Sequence, residues 1–141
     1  MRLFLTAIMS IGVMASGCAS NVNTRYTGPL ENKNVGVVKV VLTEAMDDVA
    51  VTVNGHLVTS KNYTELITIQ SVPAGKVDIQ VSADNWSRSP ALDETRRISL
   101  DANDHQTVVI NTPSLSTAYW AYMVVLVGIA VIIPAATSSS D

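Results

Sequence analysis

Between residues 35 and 112 the chain alternates. Val49, Val51 and Val53 fall on one side of an extended segment, Ala50 and Thr52 on the other, and Asn54-Gly55 follows at once. Branched aliphatics at every second position mark a strand with one buried face. Asn-Gly is the strongest two-residue hairpin signal, because both residues tolerate positive φ. No helical period of useful length interrupts this region, so a helical core is excluded.

The same reading extends along the region and predicts about seven strands. Residues 35–42 are valine-rich, with Lys39 pointing out, and form a central strand. Residues 49–53 and 57–60 flank the Asn54-Gly55 turn. Ile67 and Ile69 line the inner face of a strand over 64–70. Val77, Ile79 and Val81 alternate against Asp78, Gln80 and Ser82. Ile98 and Leu100 supply a further inner face, and Val108 and Ile110 the last. Residues 72–75 and 101–104 are turns. The expected fold is all-β, a small antiparallel β-sandwich with Greek-key or meander connections.

Several of these segments resemble a known family. Val51-Thr52-Val53-Asn54-Gly55, Leu66-Ile67-Thr68-Ile69, the run from Val72-Pro73-Ala74-Gly75 to Val81, and Asn85-Trp86 are similar to a PEGA-type domain. That family in turn resembles the transthyretin-like sandwiches. The likeness covers roughly residues 49–86; its Gly-x-Thr-Pro segment is absent here, and Asn85-Trp86 replaces a Gly-Tyr pair. It implies an envelope accessory or binding domain and brings no catalytic residues.

The first 17 residues have a different character. Met1-Arg2 is a short basic start, residues 3–13 are apolar, and Ala15-Ser16-Gly17 are small. This arrangement reads as a cleaved signal helix, too short to span a bilayer comfortably. Cys18, the single cysteine, comes next. The run resembles a bacterial lipobox, with Ala15 in place of the usual Leu. The resemblance implies cleavage between Gly17 and Cys18 and acylation of the Cys18 sulfur. An unpaired thiol in an oxidising compartment would otherwise be unexpected. Residues 18–34 are polar with little periodicity and read as a lipidated flexible tether, with Tyr26 an incidental exposed aromatic.

A second membrane signal closes the chain, over 113–141. No charged residue occurs from Pro113 to Ser140. As a helix, residues 118–136 would cover about the hydrocarbon thickness of a bilayer. Tyr119, Trp120 and Tyr122 cluster at its leading end, as interface anchors do. Thr112 or Ser114 is the expected cap. Ala19 suits sorting to the outer membrane, whereas an inserted helix resists extraction from the inner one; the sequence leaves both bilayers open. The β-domain faces the periplasm in either.

Charge and composition narrow the function. There are nine Lys+Arg, one of them Arg2 in the leader, against twelve Asp+Glu. No basic patch exists for nucleic acid or anionic lipid. His56 and His105 have no second ligand at metal spacing, and Asp101 to Asp104 lacks a calcium-loop pattern. No nucleophile elbow or phosphate-cradling loop is present. No catalytic residue, metal site or cofactor is expected. The candidate contact surface is the loop 84–94, with Trp86 and Arg88, and Arg96 and Arg97 just beyond. Trp and Arg dominate contact hot spots, and the competing role for Trp86 is to cover the end of the core. The expected function is that of a non-enzymatic envelope lipoprotein, a membrane-anchored structural or adaptor module. Its partners would be membrane lipid and another envelope protein. The alternative is a sensor or binding protein for a small ligand or glycan at the Trp86 loop.

Overall fold

The computed structural model describes residues 19–30 and 34–137, with side chains of the helix described as far as Val127. The signal helix expected over 1–17, the cleavage expected between Gly17 and Cys18 and the acylation expected at Cys18 all fall outside the described residues. Six strands precede one helix: β1 Ser20–Arg25, β2 Val35–Val53, β3 His56–Pro73, β4 Gly75–Ala83, β5 Leu92–Leu100, β6 His105–Ile110 and α1 Thr117–Thr137. They form one hydrogen-bonded sheet in the order β1-β3-β2-β4-β5, with β6 also paired to β2. The fold is all-β, as the alternation predicts.

Six strands arise where about seven are expected from the turn signals, because the chain bends without breaking. Residues 35–42 and 49–53, expected separately, are one strand, and so are 57–60 and 64–70. In β2 the buried side chains are Val38, Val40, Leu42 and Met46, then Val49, Val51 and Val53. The buried parity switches from even to odd across Asp48, which holds φ at 54°. A one-residue irregularity flips which face of a strand points inward. β3 does the same at Ser71, φ 58°, between Ile69 and Val72.

This bend lets the β2–β3 hairpin serve two layers. The first half of β2 pairs with β6 over Val37 to Leu42, and the second half pairs with β4 over Ala50 to Val53. The sheet thus folds over one aliphatic core that includes Val40, Val51, Ile67, Ile79, Leu100 and Ile110. Burying such side chains stabilises a fold by about 1.5 to 3 kcal/mol each before chain entropy is subtracted.

Two expectations are corrected. The sheet is not wholly antiparallel: β1 runs parallel to β3, and β6 parallel to β2. The tether expected over 18–34 contains β1, whose Val22 packs against the core. With a single apolar residue among Asn, Ser and Thr, β1 carries no period-two signal. Tyr26, just beyond it, is 5% exposed and meets His56 edge-on at 6.0 Å, so it is a core residue rather than an incidental one.

The register defines two ends. At one lie the β2–β3 bend, the start of β1 (Ser20 opposite Thr64), the loop 84–91 and the exit of β6. At the other lie the Asn54-Gly55 turn, the Pro73–Gly75 turn and the turn 101–104.

Candidate functional site

The bend end joins the β-domain to α1. Residues 111–116 leave β6 beside the loop 84–91, and the two segments are laced together. Ser116 N–H donates to the Ser87 carbonyl at 2.8 Å, and Ser89 N–H to the Ser114 carbonyl at 3.1 Å. Arg88 donates to the Pro113 carbonyl at 2.8 Å, and the same Nη1 lies 2.6 Å from Glu44 Oε2. Thr112 N–H donates to Thr43 Oγ1 at 3.0 Å, which ties the segment to the bend of β2. Within the loop, Asn85 Oδ1 accepts Ser87 N–H at 2.8 Å and holds the turn.

Ser116 caps the helix. Its Oγ accepts Tyr119 N–H at 3.1 Å and donates to the Trp86 carbonyl at 2.9 Å. Such a cap satisfies one of the orphan donors of the first turn. Thr112 and Ser114, expected as caps, lie before the helix. Several hydroxyls compete in this stretch, and the tie to Trp86 selects Ser116.

Trp86 packs on the helix. Its ring centroid lies 5.8 Å from that of Tyr119 and 5.7 Å from that of Tyr122, the latter edge-to-face. Trp120 lies 6.4 Å from Tyr119. The loop ring thus clusters with Tyr119, Trp120 and Tyr122 at the start of α1. Trp86 is 63% exposed, so it does not cover the end of the core.

The expected contact group divides. Trp86 and Arg88 belong to this junction. Arg96 and Arg97 lie on β5 and pair along the sheet. Arg97 faces Asp78 across the β4–β5 ladder, with Nε to Oδ1 at 2.6 Å and Nη2 to Oδ2 at 3.0 Å. That fork holds the Asp78 carboxyl below the usual carboxylate range and raises Arg97 further. Arg96 pairs with Glu94. Arg96 follows the parity of Leu92 and Leu100 but stays exposed on the edge strand, where a charge discourages pairing with another chain.

From Met123 to Val127 the helix has no cover among the described residues. Met123 to Val127 are exposed, with Val124 at 69%. α1 carries no acidic residue in its first turn and no basic residue in its last. Among the described residues no helix is long and apolar enough to cross a membrane. Residues 118–136, expected as a transmembrane span, do lie within α1, but the described residues, whose side chains end at Val127, do not support a membrane-crossing helix.

A groove of about 530 Å³ at the bend end is lined among others by Met46, Tyr63, Asp84, Trp86 and Tyr119. Ser20 Oγ donates to the Tyr63 carbonyl at 2.9 Å, and Thr64 Oγ1 to the Ser20 carbonyl at 2.5 Å. The start of β1 is thereby fixed beside the groove. At the far end a cavity of about 520 Å³ is lined by Tyr26, His56 and Lys76 among others. His56 opens β3 and His105 opens β6, and among the described residues no group of three acidic, His or Cys side chains is placed to hold a metal.

Sequence reasoning missed Ser116, Glu44 and Tyr63. None carries a local signal, since each matters through a partner distant in the chain. No protein-family model matches the chain, and no curated protein matches it.

Proposed function

We propose that this protein is a non-enzymatic lipoprotein of the bacterial cell envelope, in which an acyl group on Cys18 and the helix α1 hold a PEGA-like β-domain at a membrane, facing the periplasm. One observation carries this reading: an apolar, charge-free helix leaves the domain uncovered, from the same end as Ser20, two residues after Cys18. A helix apolar on every side belongs in a protein core or in lipid, and the β-core leaves Met123 to Val127 outside it. With 21 residues, α1 is about 30 Å long at 1.5 Å per residue, comparable with a hydrocarbon layer, although its described residues alone do not make a crossing helix.

The function is placement. A domain confined to a thin layer meets partners there at raised effective concentration, which suits a structural or adaptor module. The reading of Trp86 as a glycan or ligand sensor draws less support, because its ring is engaged by Tyr119 and Tyr122.

Two measurements test the anchors. Labelling with an alkynyl palmitate analogue should mark the wild type and not Cys18→Ser. Carbonate extraction of Cys18→Ser should leave the protein in the membrane; its release would remove the spanning role of α1. Crosslinking in cells should then recover an envelope protein, and recovery of none would remove the adaptor role.

A further inference from the structure

From the shared exit of the two attachment points, and resting on the membrane reading above, we infer that the bend end of the β-domain docks flush against a zwitterionic lipid surface. The domain does not hang from a flexible leash, and the turns at its far end point away from the bilayer.

Chain length sets the first limit. Only Ala19 separates Cys18 from β1. Two residues span at most about 7 Å when fully extended. An acylated Cys18 therefore brings Ser20 to within about that distance of the headgroups. Ser20 cannot drift from the domain, because β1 pairs with β3 from Thr64 to Gln70 and Thr64 fastens its first carbonyl.

The helix sets the second limit. Residues 111–116 are bonded to the loop 84–91 and to Thr43, and Ser116 caps α1 while holding Trp86. No slack remains between the last strand and the first helical turn. Two separate attachments on one face restrict tilt as well as distance.

The surface between them suits headgroup depth. Tyr63, Trp86, Trp120 and Tyr122 are exposed there. Amphipathic rings partition to the bilayer interface. The far end offers the turns Asn54-Gly55 and 101–104 and no such belt among its described residues.

Charge selects the lipid. Glu44, Asp47, Asp48, Glu65 and Asp84 are exposed at the bend end. Against these five carboxylates that end carries two cationic residues, Lys61 and Arg88, and Arg88 is occupied by Glu44. Anionic headgroups would be repelled, whereas zwitterionic ones offer an outer ammonium to carboxylates and ring faces.

Spin labels on the full acylated chain in phosphatidylcholine vesicles provide the test. Glu65→Cys and Asp84→Cys carry labels at the bend end, and Ala102→Cys at the far end; all three positions are exposed. Nickel chelated to a small fraction of lipid headgroups should relax the first two several-fold more than the third. Equal relaxation of all three, or a stronger effect at Ala102→Cys, in protein that floats with the vesicles overturns the docking and leaves the anchoring intact. Protein that fails to float overturns both. Added phosphatidylglycerol should shrink the contrast, and an enlarged contrast would overturn the zwitterionic preference.

Discussion

Ser116 Oγ donates to the Trp86 carbonyl at 2.9 Å, so the residue that starts the helix also holds the loop that packs on it. Replacing Ser116 with Ala removes the cap and the tie together. A lost cap costs about 1 kcal/mol, and the unpaired Trp86 carbonyl adds to it. The urea midpoint of Ser116→Ala should fall accordingly, and Trp fluorescence should report a loosened Trp86. An unchanged midpoint would show that the junction does not depend on this hydroxyl.

Arg88 and Glu44 should respond unequally. The Arg88 side chain is 12% exposed and the Glu44 side chain 62%. Arg88→Met loses both the Glu44 pair and the bond to the Pro113 carbonyl, and should cost about 1 to 2 kcal/mol. Glu44→Gln leaves the Pro113 bond and should cost under about 0.5 kcal/mol, as exposed pairs do. Chemical denaturation of both single variants and the double variant measures the difference.

Asp78 and Arg97 predict a pH effect. The Arg97 guanidinium holds the folded Asp78 carboxyl below its ordinary range. The unfolded chain then binds the proton more readily, so the pair stabilises the fold above the unfolded value of about 4 and loses that contribution as pH falls through the folded value. Stability curves of wild type and Asp78→Asn should run apart at neutral pH and converge in acid. Parallel curves down to the acid limb would dismiss the linkage. The pair is exposed, so the separation is small and salt-sensitive.

Asp48 occupies left-handed backbone at φ 54° where β2 changes its buried face. Asp is tolerated there better than most residues, and its N–H reaches Asp47 Oδ1 at 2.9 Å. Asp48→Gly should be neutral or stabilising within about 1 kcal/mol, whereas Asp48→Val should cost about 1 to 2 kcal/mol. Thermal midpoints of the two variants decide the point, and equal midpoints would deny the role of the bend.

Gly28 approaches the buried Tyr26. A Cβ there would meet the Tyr26 hydroxyl and come within 2.8 Å of the His56 ring. Gly28→Ala should destabilise by about 1 to 3 kcal/mol through overpacking. Thermal melts would show it, and an unchanged midpoint would deny the close approach.

Much of the β-core is legible in the residues alone. Asn54 and Gly55 adopt positive φ at the hairpin, and Val77, Ile79 and Val81 are buried as their alternation requires. What is not legible depends on partners far along the chain. Val22 is a lone apolar residue in β1, so its pairing with Ile67 leaves no local pattern. The merging of 35–42 with 49–53 follows from backbone angles at Asp48, which composition does not reveal. At the junction, aromatic type pointed to Trp86, Tyr119 and Tyr122, but their contact depends on the route of residues 111–116. Arg96 and Arg97 follow the Trp86 loop in sequence yet lie on opposite faces of β5 and pair within the sheet, Arg96 with Glu94 and Arg97 with Asp78.

The parallel pairing of β6 with β2 has a mechanical consequence. α1 is joined to the C-terminal end of β6, which lies in register with β2 from His105 opposite Val37 to Ile110 opposite Leu42. Tension arriving through the helix pulls β6 lengthwise past its neighbour. The ladder bonds are then loaded side by side in shear, not peeled one after another, so the strand yields only when many give way together.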